Sequence, residues 1–403
     1  MKRRGNSQTA EAGATPDEPV AEEIGKYEEV AMAIYRLRDK TTKILTLYVG
    51  VLLIWLATTA MHIPDGYLSP ATSSIMFLLV LPFWVSGIRK LRQGMNARSA
   101  PLIALLAAFS FIIMMFNIPI PGGTTAHVTG AALAALILGP EAATIAVSTA
   151  LIIQAFFFGD GGILTLGANC FNIAVVVPQF GYALYRAFAK KTPIGSSKRL
   201  AGAAIGAWTG VTMAAFFAGF EFGIQPLLFR SADGSPLYAP YPLSVSIPAM
   251  VIPHALVASV AEAFLTVLVL AYLRRSNPAI LEAAEKPAEV VESAGIDKLR
   301  PLWVVLLVLA VLSPLGLLAP GTAWGEWGTE ELAKMGLKAI PEGIARLSGI
   351  WGAPLQGYNL PTLGNSNLGY ILSAVVGILV VGVVAWLLTK VLIPGPKTQS
   401  KNN

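Results

Sequence analysis

Apolar runs decide what this chain can be. Runs at residues 73–88, 101–116, 128–138, 142–158, 166–189, 201–220, 247–273, 302–318 and 369–391, with another at 44–60, approach the roughly 20 residues that cross a bilayer. With 55% of residues hydrophobic and only 13% charged, a soluble domain is excluded. The expectation is an all-α, polytopic transmembrane helix bundle, with about seven spans in a core unit and a two-span carboxyl-terminal module. The net charge of +6 does not point to nucleic acid. The basic residues gather at the ends of apolar runs, at 36–43, 89–98, 186–199 and 274–275, and threading the runs back and forth puts all of these on one face. By the positive-inside rule that face is cytoplasmic. No phosphate-cradling loop and no interleaving of basic and aromatic residues occurs.

The polar stretches divide the chain. Residues 1–43 form a polar cytoplasmic extension, with 1–20 reading as disorder and 22–43 as a surface helix. The run 44–60 is short for a span and long for a signal-peptide core, so a cleaved signal and a retained anchor both fit it. Residues 61–275 form the core unit and 276–300 a cytoplasmic linker. Residues 301–393 place two spans around a Gly- and Pro-rich loop containing Trp324-Gly325-Glu326-Trp327, and 394–403 are a cytoplasmic tail. The same threading brings Met61, the loop before His127 and the turn at Asp160 to the extracytoplasmic face.

That face holds the candidate chemistry. The single cysteine, Cys170, excludes an internal disulfide and any multi-cysteine metal site. The chain has three histidines, His62, His127 and His254. Small residues at Thr58 and Ala60 resemble a signal-peptidase site, and cleavage after Ala60 leaves a chain end reading Met-His. Its α-amine, the His62 backbone nitrogen and the His62 imidazole close two adjacent chelate rings, and a fourth nitrogen completes the square plane suited to Ni(II) or Cu(II). An ordinary loop after a membrane anchor is the plainer reading of the same residues. His127 is the candidate fourth nitrogen, since Gly122-Gly123 before it let the backbone fold in close. His254, inside a span after Pro253, reads as a helix-bonding histidine. Asp65 and Asp160 either orient an imidazole or form turns before glycine. Asn169 and Asn172, three apart, brace one helix face. Gln154 and Glu262 lie within spans and face the bundle or an aqueous cavity. The small residues 130–135 admit a close helix, within the bundle or from a partner.

Met61-His62-Ile63-Pro64-Asp65-Gly66-Tyr67-Leu68-Ser69-Pro70 resembles the start of mature CbiM/NikM proteins, the substrate-specific components of energy-coupling factor transporters for cobalt and nickel. His127-Val128-Thr129-Gly130, Leu138-Gly139-Pro140, Gln154-Ala155, Phe158-Gly159-Asp160-Gly161-Gly162 and Leu166-Gly167-Ala168-Asn169 look like the same family, and the likeness covers about residues 61–275. The resemblance implies that the metal is held by the amine of Met61, the backbone nitrogen and imidazole of His62, and His127; Asp65, Asp160 and Asn169 are the candidate supporting residues from the reading of the residues themselves. Pro314-Leu315-Gly316-Leu317-Leu318 and Ala323-Trp324-Gly325-Glu326-Trp327 are more loosely similar to the CbiN/NikN or PDGLE-type accessory segment, here fused.

The expected function is therefore binding of Ni2+ or Co2+, as transported substrate and with no permanent cofactor, on the outer face of the plasma membrane. The chain has no G-x-x-x-x-G-K-[ST] motif and so cannot power transport alone; the resemblance implies a transmembrane (T) subunit and ATPase (A) subunits as partners. It has no catalytic residues to assign. An intramembrane metalloprotease would need H-E-x-x-H, which is absent. A standalone ion-coupled metal transporter or channel is the alternative. The residues do not choose between nickel and cobalt. Met61 is internal here, so the chelating end requires removal of residues 1–60 or initiation at Met61.

Overall fold

The computed structural model describes residues 62–94, 100–120, 124–190, 192–193, 196–285, 296–318, 326–334 and 339–393. Met61, the extension 1–43, the run 44–60, the tail 394–403 and linker residues 286–295 lie outside the described residues.

Within the described residues, the predicted apolar runs appear as helices in the predicted order. They are α1 (Pro70–Gly94), α2 (Ala100–Met114), α3 (Ala131–Leu138) and α4 (Pro140–Ile153, extended by a π-helical turn Gln154–Phe158). Next, α5 is built from Leu166–Asn169, a π segment Cys170–Val176, and Val177–Ala189. The core closes with α6 (Ser197–Leu228) and α7, which runs through Leu243–Pro253, a π turn His254–Ala258, and Ser259–Ser276. The rest comprises α8 (Pro278–Glu285), α9 (Ile296–Leu312), α10 (Thr329–Lys334), α11 (Glu342–Leu347) and α12 (Ser366–Leu392). Among the described residues, six helices are long and apolar enough to cross a membrane. The molecule is thus a multi-pass helical membrane protein.

Three expectations change. The predicted span 128–138 is α3, only eight residues. At 1.5 Å per residue it covers about 12 Å, less than half of a hydrocarbon core of about 30 Å. It is an interior half-helix, and its buried Ala131, Ala132, Ala134 and Ala135 pack within the bundle. The apolar run read as ending at 220 continues, because α6 extends to Leu228 and keeps Glu221 and Gln225 buried. The Gly/Pro-rich stretch before His127 is not plain loop. Asn117–Ile120 (β1) pairs antiparallel with Thr124–His127 (β2), with Asn117 opposite His127.

A half-helix ending inside a membrane leaves orphan N–H groups that must be satisfied internally. Glu262, from α7, does this for α3. Its Oε2 accepts from the backbone of Thr129 (2.6 Å) and Gly130 (3.1 Å), and its Oε1 from Ala132 (3.4 Å). The carboxylate also meets the positive end of the helix dipole. Ser110 Oγ donates to Thr129 O. The chain is thereby pinned two residues beyond His127. The carboxyl-terminal module does not stand apart: α12 packs on α2, and α9 packs on both. The Phe111 ring fills the place where a Cβ of Gly377 would be.

Candidate metal centre

The segment after Met61 is clamped along its backbone. Asn169, on α5, receives the Ile63 N–H on Oδ1 (2.7 Å) and returns a hydrogen bond from Nδ2 to Ile63 O (3.0 Å). Gly162 N and Thr165 Oγ1 also donate to Ile63 O. Asp65 takes the N–H groups of Ile163 (3.0 Å), Leu164 (2.8 Å) and Thr165 (3.3 Å). Its carboxylate therefore fixes the turn that starts α5, and its bonds go to backbone rather than to an imidazole. Burial lifts its pKa above the usual carboxylate range, with those three N–H groups pulling the other way. The close approach needs glycine at 162, where a Cβ would collide with Asp65.

Two imidazoles meet behind this clamp. The rings of His62 and His127 lie 4.7 Å apart between centroids, and both residues are buried. His62 Nδ1 bonds Asp160 Oδ1 at 2.6 Å. Because the carboxylate accepts, Nδ1 carries the proton and Nε2 the lone pair. His127 Nδ1 points at Val128 O at 3.4 Å. Among the described residues, the Nε2 atoms of both rings are buried without a hydrogen-bond partner. A buried polar atom left unsatisfied is unfavourable and calls for a reason. Two of them on adjacent rings fit a cation that takes nitrogen lone pairs.

The electrostatics favour a cation. Burial lowers the His62 pKa, but the charge and hydrogen bond of Asp160, with Glu326 behind it, more than offset this and leave it above 6.5. His127 is pushed down to about 3, by burial and then by His62, so it is neutral at physiological pH. Asp160 is held at about 2 despite burial, by His62 first and by Tyr358 as well. Burial pushes Glu326 up to about 8, against the pull of His62. A cavity of about 310 Å³ lined by His62, Asp160, Glu326 and the 159–162 turn leads to the site.

The third histidine stays out of this arrangement in its hydrogen bonding: His254 Nδ1 donates to Met250 O at 2.7 Å within α7. Asn172 Nδ2 donates to Glu221 Oε2 at 3.0 Å, a brace between α5 and α6. Among the described residues, no group of three or more His, Cys, Asp or Glu is arranged to hold a metal. The described side chains bring two imidazole nitrogen donors, His62 and His127, side by side.

Two residues at the site escaped the sequence reading of its ligands and supports, and both belong to the carboxyl-terminal module. Glu326 Oε1 accepts the His62 backbone N–H at 3.1 Å, and Tyr358 OH donates to Asp160 Oδ2. Gln154, a polar residue in a span that was given no role at the site, donates from Nε2 to the same Asp160 oxygen at 3.3 Å. Tyr358 sits at φ 58°, a left-handed conformation that costs a non-glycine residue about 1–3 kcal/mol. Glu326 lay inside a motif already singled out; Tyr358 follows a glycine in a loop and carries no sequence signal.

The fold and site define a multi-pass membrane protein with two adjacent buried imidazoles, one of which, His62, lines a cavity with the carboxyl groups of Asp65, Asp160 and Glu326. Known proteins match it closely. The profile of the cobalt uptake substrate-specific transmembrane region, CbiM, matches residues 62–280, and that of the PDGLE domain matches residues 300–394. The fused nickel transport protein NikMN of Rhodobacter capsulatus is 48% identical, over 79% of this chain and 94% of its own length. The probable fused nickel transport protein LarMN of Lactiplantibacillus plantarum is 42% identical, over 79% of this chain and 95% of its own. A crystal structure of a transition metal transporter is 46% identical and superposes with a TM-score of 0.51, covering 55% of this chain and 97% of that one. The chain belongs to the CbiM/NikMN family of nickel and cobalt transport proteins.

Proposed function

We propose that this chain is the substrate-binding membrane component of an importer of divalent nickel or cobalt ions. The observation that carries the reading is the pair of adjacent buried imidazoles, with ring centroids 4.7 Å apart. The ion is substrate rather than resident cofactor, and it is met on the extracytoplasmic face. Its ligands are the α-amine of Met61, the backbone nitrogen and imidazole of His62, and His127. A histidine that chelates through its own backbone nitrogen uses Nδ1, because Nε2 lies across the ring. With Nδ1 on Asp160, chelation calls for a half-turn of the ring about Cβ–Cγ, which leaves Nε2–H beside Asp160. The domain order follows the sequence reading: extension 1–43, leader or anchor 44–60, metal-binding unit 61–275, linker 276–300, accessory module 301–393 and tail 394–403. Energy comes from ATPase subunits through a transmembrane coupling subunit, and the chain performs no catalysis.

The test is metal titration of the full purified protein, with its amino terminus sequenced. His62→Ala and His127→Ala are expected to abolish tight binding, while His254→Ala retains it. Equal loss in all three would refute the ligand assignment. A chain starting at Met1 in metal-loaded protein would refute the amine ligand.

A further inference from the structure

The carboxyl-terminal module reaches the metal centre through a helix end that is incomplete without it. α4 finishes in a π turn, and the N–H groups of Gly159 and Asp160 both return to Gln154 O. This leaves the carbonyls of Phe156 and Phe157 short of helical donors. Segment 351–358 supplies them: Trp351 Nε1 donates to Phe156 O and Leu355 N to Phe157 O, each at 2.9 Å. Tyr358 then stacks on Phe158, with ring centroids 4.8 Å apart, and its hydroxyl donates to Asp160 Oδ2. Gln154 Nε2 donates to the Tyr358 oxygen at 3.1 Å. The other oxygen of Asp160 holds His62. Tyr358 is also the non-glycine residue at positive φ among the described residues, so backbone strain falls on the residue that makes this contact.

We propose that Tyr358 is a positioning residue for metal capture. It fixes the Asp160 carboxylate, and the carboxylate fixes the plane of the His62 imidazole. The carboxyl-terminal module thereby sets the geometry of a site whose nitrogens lie on the core unit. This rests on the reading of His62 and His127 as metal ligands. A hydroxyl that merely stabilised the fold would act independently of Asp160, whereas a positioning hydroxyl acts only through it.

The experiment is calorimetric titration of the full chain in detergent with Ni(II), together with the visible absorption of the bound ion. Tyr358→Phe keeps the ring on Phe158 and removes the donor. It is expected to weaken affinity roughly tenfold or more, as loss of an outer-shell partner does, and to shift the absorption band at unchanged stoichiometry. Tyr370→Phe is the control: its ring lies 5.5 Å from that of Tyr358, but its hydroxyl donates to Met115 O. It is expected to leave affinity within about twofold of the parent. The double variant Asp160→Asn with Tyr358→Phe is expected to bind no more weakly than Asp160→Asn alone. Parent-like affinity in Tyr358→Phe, full additivity in the double variant, or loss of binding sites with an unshifted band would overturn the proposal. His127→Ala in the same series separates the two readings. If it binds normally, the metal centre itself is misassigned. If it fails to bind while Tyr358→Phe is unaffected, only the positioning role falls.

Discussion

Replacing Asp160 by Asn should weaken metal binding at neutral pH and yet make it more tolerant of acid. The side chain keeps its shape and loses its charge. In the parent, the carboxylate accepts from His62 Nδ1 at 2.6 Å, from Gln154 Nε2 at 3.3 Å and from Tyr358 OH. Hydrogen bonds to a charged group contribute about 1.5–3 kcal/mol, and loss of an outer-shell partner lowers metal affinity about 10–100-fold. At about 1.36 kcal/mol per decade, that loss is about 1.4–2.7 kcal/mol, so the two routes agree. The pH effect has the opposite sense. A proton competes with the metal for His62, and Asp160 strengthens the proton's hold by raising the imidazole pKa above 6.5 against burial. Parent binding therefore weakens as pH falls through that raised value. Asp160→Asn removes the main opposition to burial, so the His62 pKa drops and the acid limb moves to lower pH. Titrating Ni(II) into both proteins between about pH 5 and 8 measures both effects. Unchanged affinity at neutral pH, or an acid limb displaced upward, would refute the placement of Asp160 on His62.

Further outcomes follow from the same geometry. Glu262→Gln removes the charge that meets three N–H groups at the start of α3; a loss of about 1.5–3 kcal/mol is expected, read as a lower Tm in detergent, with weaker metal binding because His127 lies two residues upstream of Thr129. Gly162→Ala drives a methyl group into Asp65; overpacking should cost about 1–3 kcal/mol and loosen the clamp on Ile63, so Tm and nickel affinity should fall together. Labelled-nickel uptake into proteoliposomes should require the ATPase and coupling subunits; uptake by the chain alone would favour a standalone ion-coupled transporter instead.

Hydropathy and charge accumulate residue by residue along the chain, and the helices that depend on them were readable without coordinates. So were the shared face of His62 and His127 and the helix-bonded state of His254. Length misled at α3, because a polar cap from a distant helix lets eight residues end inside the bundle, and no local pattern reports a partner 133 residues away. The two aspartates make the same point at the site. Asp65 and Asp160 both precede glycine and read alike, yet one bonds three backbone N–H groups and the other an imidazole. Glu326 and Tyr358 meet their partners across 264 and 198 residues. The sequence by itself determined a helical membrane bundle and the histidines to suspect. Only the tertiary structure decided which carboxylate serves His62 and that the carboxyl-terminal module reaches it, because those facts depend on where helix ends meet in space.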